Sequence, residues 1–316
     1  MTSDPPVFVV GSERSGTTLL RLLLSHHPQL AFHYESEFMM HPLEGGEPLP
    51  VGAELRAFQD WLREDRTFLS SGFVIDESLS YVELLNSFLR QKHMLTGKPV
   101  VGMTVHKSFE HLPRVWPEAR YIHLLRDGRN VTYSSVQMGW YGNAWAATER
   151  WKAAMQSYAR LRQQVPAEQV LEVRFESLLE DVAAEITRIC EFLQLPYSDD
   201  VFAFEGASSY SFPKQGLASD WRTKLTEKEI QQVESELGEL LQEHGYPLSE
   251  LEPISLDAAE RARLAQDDVR RRRAQRVARY GWCLVLLECF VRVTRLAPLR
   301  DYVRARMASV DRDLLK

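Results

Sequence analysis

Val7-Phe8-Val9-Val10-Gly11-Ser12-Glu13-Arg14-Ser15-Gly16-Thr17-Thr18 decides how this chain is read. Four consecutive apolar residues bounded by a loop fit a strand buried on both faces. The loop holds two glycines, and Thr18-Leu19-Leu20-Arg21-Leu22-Leu23-Leu24 then resumes as an amphipathic helix. In such a strand, loop and helix the loop amides and the helix N-terminus converge, which suits a bound phosphate. Against the pattern G-x-x-x-x-G-K-[ST], Gly11 and Gly16 keep their separation and Thr18 keeps the hydroxyl, but Thr17 stands at the lysine position. Without the lysine that reaches β and γ phosphates, an ATP or GTP hydrolase is disfavoured. Arg14 instead places a fixed cation inside the loop, suited to a nucleotide with a shorter 5′ arm. A strand-to-helix turn with no ligand is the plain alternative.

Outward from this loop, Val100 to Val105, Tyr121 to Leu125 and Val170 to Phe175 are further apolar runs that read as buried parallel strands. Helical patterns alternate with them. Ser177-Leu178-Leu179-Glu180 has the capping-box pattern ahead of a helix reaching about Leu193, and Thr226-Glu227-Lys228-Glu229 opens another in the same way. This is the grammar of an α/β protein with an open parallel sheet, whose ligands bind beyond the carboxyl ends of the strands. Residues 41–99 read as an acceptor-side insertion with a turn at Gly45-Gly46-Glu47-Pro48. Helices are expected near Ala53 to Arg63 and Tyr81 to Lys92. The chain is expected to divide near Leu251-Glu252-Pro253 into a main domain, residues 1–250, and a helical C-terminal extension, residues 251–316.

Composition narrows the class. In 316 residues, 44% hydrophobic and 26% charged with 16 Gly and 15 Pro exclude collagen-like, low-complexity and wholly disordered chains. The net charge of -6 argues against a nucleic-acid binder working through bulk charge. Charge is uneven: residues 258–316 carry 15 Lys+Arg and 7 Asp+Glu, net +8, leaving -14 for the rest. Three cysteines, Cys190, Cys283 and Cys289, form no C-x-x-C, so neither a disulfide framework nor a zinc knuckle is indicated and a reduced cytoplasmic compartment is expected. The run before Gly11 is too short and too acidic for a secretory signal. Tyr280 to Val293 is interrupted by Glu288 and Arg292 and falls short of the roughly 20 residues that span a bilayer. The chain is not expected to cross a membrane.

A second constellation is Arg126-Asp127-Gly128-Arg129-Asn130-Val131-Thr132-Tyr133-Ser134, directly after the strand Tyr121 to Leu125. Arg126 ends the strand and Ser134 falls about one turn into the next helix. Both can face one crevice, where a guanidinium and a hydroxyl hold a phosphate, the arginine by a two-pronged bond. The alternative is a simple Asp-Gly turn with Arg126 in a surface ion pair.

Taken together, these segments resemble the sulfotransferases that use 3′-phosphoadenosine 5′-phosphosulfate (PAPS), in the bacterial and tyrosylprotein-type branch. FVVGSERSGTTLL, Phe8 to Leu20, is similar to the family's 5′-phosphosulfate loop, which implies Arg14, Ser15, Gly16, Thr17 and Thr18 as its ligands. RYIHLLRDGRNVTYS, Arg120 to Ser134, is similar to the 3′-phosphate segment, implying Arg126 and Ser134. VRFESLLEDVAAEITRICEFLQLP, Val173 to Pro196, resembles the strand and helix that follow, with an aromatic near the adenine at Phe175. His27-Pro28-Gln29-Leu30 and Tyr34-Glu35-Ser36-Glu37-Phe38 resemble the H-P-x-[IVL] and later glutamate of that branch, which makes Glu35 the implied base. The K-T-H of the cytosolic steroid and phenol branch is absent, since Ser108-Phe109 follow Lys107. Lys107 still matches the lysine that reaches the bridging oxygen. The resemblance covers roughly residues 5 to 247, with gaps in the insertion, and implies a P-loop-type fold with no metal requirement. The implied reaction is sulfuryl transfer to a hydroxyl, with an amine as the second choice.

Such an in-line displacement needs a base for the acceptor proton and cations for the charge on the leaving phosphate, the part of Arg14 and Lys107. Glu37 rivals Glu35, because residues two apart face the same way in extended chain. His33, His106 and His111 are competitors that more often pack than catalyse. Ser211, Lys214, Trp221 and Arg222 fall where the family has a mobile loop over the nucleotide. The acceptor, whether small molecule, glycan or lipid, is not specified. A P-loop small-molecule kinase and a non-catalytic nucleotide-binding or membrane-adaptor protein are the alternatives.

In the tail, Arg270-Arg271-Arg272-Arg273 surround a helix at about 100° per residue and read as solvated. Glu288, Arg292 and Arg295 make a polar stripe beside a wide apolar remainder from Trp282 to Val291. That remainder is expected to be covered by the protein's own catalytic domain or by self-association. Peripheral contact with anionic lipid is the second option.

Overall fold

The computed structural model describes residues 5–204, 221–294 and 297–314. The chain forms two compact units, one of residues 1–131 and 150–220, the other of residues 132–149 and 221–316.

The first unit is built on five strands: β1 (Val7–Val10), β2 (Leu30–Glu35), β3 (Val100–Val105), β4 (Arg120–Leu125) and β5 (Val170–Arg174). All pair parallel, in the order β2-β3-β1-β4-β5. Val7 and Val9 pack with Leu19, Leu20 and Leu23 of helix α1 (Thr17–His26), while Phe8 and Val10 pack on the other face with Phe88, Met103 and Trp116. Alternate strand residues point to opposite faces, and here both faces are covered, which is why the β1 run is apolar throughout. Each fully buried Val or Leu contributes about 1.5–3 kcal/mol of that stabilisation.

Residues 52–96 form α2 (Gly52–Leu62), α3 (Arg66–Ser71) and α4 (Tyr81–Thr96), so both expected insertion helices are present. A capping box starts α4, with Ser80 and Glu83 satisfying each other's backbone N–H groups. Helices α5 (Gly128–Gln137) and α6 (Ala144–Gln164) follow β4, and α7 (Phe175–Glu180) and α8 (Val182–Leu193) follow β5.

Two local expectations change. The sheet has a fifth strand, β2, whose polar end at His33, Tyr34 and Glu35 breaks the apolar pattern; among the described residues it lies at the sheet edge and pairs with β3. Ser177 does not cap the helix after β5, because α7 begins directly at Phe175. Asp181 caps α8 instead, accepting a hydrogen bond from the Ala184 N–H at 2.9 Å.

β1 and β4 are neighbours, yet β1 leads to β2 on one side and β4 leads to β5 on the other. Their carboxyl ends therefore open the crevice that α/β sheets use for ligands.

The second unit holds α9 (Trp221–Lys224), α10 (Glu227–Glu243), α11 (Ala258–Tyr280), α12 (Trp282–Thr294) and α13 (Ala297–Leu314). The expected box at Thr226 forms: its hydroxyl accepts from the Glu229 N–H at 3.3 Å and Glu229 accepts from the Thr226 N–H at 2.9 Å. Asp268, buried on α11, accepts from the Gly142 N–H at 2.7 Å, and the Trp145 indole donates to Glu236 of α10 at 3.1 Å. Arg270 and Arg271 pair with Asp267 and Arg272 pairs with Asp268, so the arginine run is a solvated helix edge laced with ion pairs. A 2.8 Å ion pair between Arg276 and Glu288 ties α11 to α12. Among the described residues no helix is long and apolar enough to cross a membrane.

Candidate active site

The loop after β1 turns on three residues with positive φ: Gly11 at 144°, Arg14 at 70° and Gly16 at 96°. A side chain cannot replace the hydrogen of Gly16, because a Cβ there would meet the Phe175 ring at 2.2 Å. No side chain caps α1, whose bonding starts with Leu20 N–H to Gly16 carbonyl at 3.1 Å. The amides ahead of Leu20 have no partner within the helix and carry the positive end of its dipole. Thr17 is buried, Thr18 is exposed, and the buried Ser15 hydroxyl has no hydrogen-bond partner among the described residues. An anion suits such a turn. Glu13 forms an ion pair with Arg150, inside the same unit.

Arg126 leaves the end of β4 and donates through Nη1 to the Arg14 carbonyl at 3.0 Å. Its guanidinium lies 4.4 Å from the centroid of the Phe175 ring. Phe175 itself is buried at the end of β5, so one ring supports both Gly16 and Arg126. The Arg126 carbonyl accepts from the Trp151 indole at 3.0 Å, which fixes the backbone at this strand end. Asp127 is not a loose turn residue. Its carboxylate accepts from the Arg129 N–H at 2.9 Å and, in a buried two-pronged pair, from Arg129 Nε at 3.0 Å and Nη2 at 2.7 Å. Arg129 is thereby consumed inside the fold. Helix α5 starts at Gly128, so Ser134 lies about two turns into it rather than one, on residues assigned to the second unit.

Beside the loop is a recess lined by Thr17, Thr18, Arg21, Tyr34, Glu35, Thr104 and His106. Glu35 reaches it through a break in the β2–β3 register: His33 pairs with Met103 and Glu35 with Thr104, leaving Tyr34 as an extra residue. A bulge of this kind re-aims the side chains after it. Glu35 is exposed and couples electrostatically to Arg21, whose pKa is lowered by burial and raised back in part by Glu35. The Thr104 hydroxyl is buried with no hydrogen-bond partner among the described residues.

The competing bases separate by position. Glu37 starts a short 3₁₀ segment, accepts from the His106 N–H at 3.0 Å and is not among the recess-lining residues. Burial raises its carboxyl pKa, and the nearby His106 opposes that rise. The His106 ring bonds through Nδ1 to the Gly11 carbonyl at 3.0 Å, which in a neutral ring puts the proton on Nδ1. His33 is buried between the rings of Tyr34 and Phe73, with centroids 4.2 and 4.6 Å away. Burial, then the charges of Lys92 and Arg21, hold its pKa at about 4. His111 lies on the 3₁₀ segment Phe109–Arg114, outside the recess lining. Lys107 is exposed one residue beyond His106 and is likewise not in that lining.

The H-P-x-[IVL] element turns out to be architectural. His27 is buried, accepts from the Gln29 N–H at Nδ1 (3.1 Å) and donates from Nε2 to the Pro196 carbonyl at 2.8 Å, joining the start of β2 to the chain beyond α8. Arg21 and Thr104 are recess residues that no motif announces. Their only signal in the chain is a single polar residue inside an apolar run, Leu-Leu-Arg-Leu-Leu and Val-Val-Gly-Met-Thr-Val, which demands a local reason. Of the expected nucleotide-covering loop, Ser211 and Lys214 lie outside the described residues. Trp221 is buried, with the Arg222 guanidinium 4.2 Å from its ring centroid.

Among known proteins, the protein-tyrosine sulfotransferase A of Caenorhabditis elegans is 27% identical over 211 residues, covering 64% of this chain and 53% of that protein. Protein-tyrosine sulfotransferase 1 of Danio rerio is 26% identical over 218 residues, covering 64% and 56%. The chain thus spans about half the length of the curated relatives it matches. In fold it is similar to the sulfotransferase domain from the curacin biosynthetic pathway, with a TM-score of 0.55 at 20% identity over 78% of this chain and 99% of that one. Residues 5–199, more than half of the chain, match the model of the sulfotransferase family, and to that family the protein belongs.

Proposed function

We propose that the protein transfers a sulfuryl group from PAPS to a hydroxyl acceptor, with an amine as the lesser choice. The observation that carries this reading is the bond from Arg126 to the Arg14 carbonyl, which joins the phosphate loop to the cation at the end of β4. A donor phosphorylated at both 3′ and 5′ positions calls for two anion sites that share one crevice. The amides at the start of α1 with Arg14, Ser15, Gly16, Thr17 and Thr18 would hold the 5′ phosphosulfate. Arg126 would hold the 3′ phosphate, and Phe175 would act as the platform under Arg126 and Gly16 on the adenine side.

In the proposed step the acceptor oxygen forms a bond to sulfur as the sulfur bond to the phosphate oxygen breaks. The acceptor proton passes to Glu35, and the leaving phosphate takes the electron pair. Arg14 and Lys107 offset the charge that develops there. Glu35 stands in the recess beside Thr17 and Thr18, which supports its assignment over Glu37. A small-molecule kinase is less well supported, since Thr17 replaces the lysine that ATP chemistry uses. We place the activity in the cytoplasm; the three free cysteines, two of them exposed, favour a reducing compartment. The acceptor class stays with small molecules, glycans or lipids.

Thermal shift tests the reading. Stabilisation by 3′-phosphoadenosine 5′-phosphate without metal is expected. Stabilisation only by ATP with Mg²⁺ would reassign the protein to the kinases, and stabilisation by neither would leave the adaptor reading. With PAPS supplied, mass gain across alcohols, phenols, sugars and lipids then identifies the acceptor.

A further inference from the structure

Helix α12 does not bury its apolar remainder as a covered helix would. Trp282, Leu286 and Phe290 recur at i, i+4 and i+8 and are 68%, 61% and 54% exposed. At about 100° per residue they share one face with Cys283 and Cys289, which are also exposed. Leu284, Leu287, Glu288 and Val291 turn inward, where α12 packs against α11 and α13 and Glu288 meets Arg276. A single exposed apolar residue is ordinary; a continuous row led by Trp and Phe marks a contact surface.

Charge selects the partner. Residues 258–316 carry 15 Lys+Arg against 7 Asp+Glu, while the remaining chain is strongly acidic. Arg273 on α11 and Arg304 and Arg306 on α13 are exposed, and Arg306 shares a helical face with the exposed Tyr302, four residues before it. Two copies meeting on this face would bring two basic tails together, whereas an anionic surface complements them. At 13 residues α12 is about 20 Å long, too short to span hydrocarbon about 30 Å thick, so it can lie in an interface but not cross it.

We propose that the exposed face of α12 seats the second unit on an anionic lipid surface, with Trp282, Leu286 and Phe290 entering the headgroup boundary and the exposed arginines of α11 and α13 meeting lipid phosphate. This assignment stands independently of the sulfuryl-transfer reading. The test is co-sedimentation of the full chain with vesicles of phosphatidylcholine alone and of phosphatidylcholine with about one third phosphatidylglycerol. Binding to the anionic vesicles at least about tenfold tighter than to the neutral ones is expected, weakening as salt rises. Leu286→Glu and, separately, Arg304→Glu with Arg306→Glu should each reduce it by about tenfold or more, with an unchanged melting temperature as the folding control. Should Leu286→Glu melt early, Phe290→Ser carries the same test. Equal partition onto both vesicles, or variants that bind like the parent, would overturn the proposal. A dimer in sedimentation velocity that Leu286→Glu dissolves, with no vesicle binding, would give the face to a second copy instead.

Discussion

The guanidinium of Arg126, at the end of β4, donates to the carbonyl of Arg14, the left-handed residue in the middle of the loop after β1. Two segments more than a hundred residues apart in sequence are thereby one piece of structure. Arg126 has two tasks in this arrangement, shaping the loop and, in the proposed function, reading the 3′ phosphate.

Arg126→Ala should therefore weaken 3′-phosphoadenosine 5′-phosphate by about tenfold to a hundredfold, the worth of a charge-assisted bond, while adenosine 5′-phosphosulfate loses much less. Calorimetric titration of both ligands measures the difference. Equal losses would leave Arg126 only its loop-shaping task.

Glu35→Gln keeps the shape of the side chain and removes its basicity. Turnover should fall by about a hundredfold or more, with 3′-phosphoadenosine 5′-phosphate affinity within about twofold of the parent. Near-normal turnover would move the base to His106, the histidine of the recess lining.

Gly16→Ala places a methyl group where the Phe175 ring stands and asks alanine to hold a φ of 96°. A cost of about 1–3 kcal/mol is expected, together with loss of nucleotide binding. Adding Phe175→Leu should restore part of the stability by relieving the contact, but not all of it, because the backbone strain persists. Melting temperatures of the single and double variants check this.

His33 gives a pH signature. Its native pKa of about 4 lies below the ordinary 6.5, so between those values the unfolded chain binds a proton that the native one does not. Stability is then whole above about pH 6.5 and declines as pH falls toward 4, by up to about 3 kcal/mol. His33→Phe, which keeps the ring between Tyr34 and Phe73, should flatten that stretch of the stability profile. Urea titrations across the range measure it, and a slope that the substitution leaves unchanged would rule out His33 as its origin.

Thr104→Val exchanges a buried hydroxyl that has no partner among the described residues for a methyl group of the same shape. Stability should stay level or rise by up to about 1 kcal/mol, since none of the described residues loses a bond. If the hydroxyl serves the acceptor, KM for the acceptor rises while nucleotide affinity holds. A drop in melting temperature would show instead that Thr104 has a structural partner.

Much of this was legible in the chain itself. Apolar runs at Val7, Val100, Tyr121 and Val170 stand where four strands stand, and the loop after β1, Arg126 and Glu35 all lie at carboxyl ends of strands. The edge strand β2 was not legible, because one of its sides is unpaired and its last residues are polar, so it lacks the buried-strand pattern. The helix cap after β5 was misplaced for a local reason: Ser177 and Glu180 have the spacing of a capping box, but the backbone is already helical from Phe175, and Asp181 takes the task. In the tail the amphipathic pattern of α12 was plain, whereas which side would be covered was not.

Spacing and periodicity determined the order of elements, the glycine-bearing loop after β1 and the residues standing at strand ends, because those depend on neighbours within a few positions. Tertiary structure alone decided that Phe175 supports both Gly16 and Arg126, that a bulge at Tyr34 brings Glu35 to Thr104, and that Trp282, Leu286 and Phe290 remain outside. The physical reason is that steric exclusion, strand register and burial are properties of pairs of surfaces. A linear pattern specifies one surface of each pair, and only packing supplies the other.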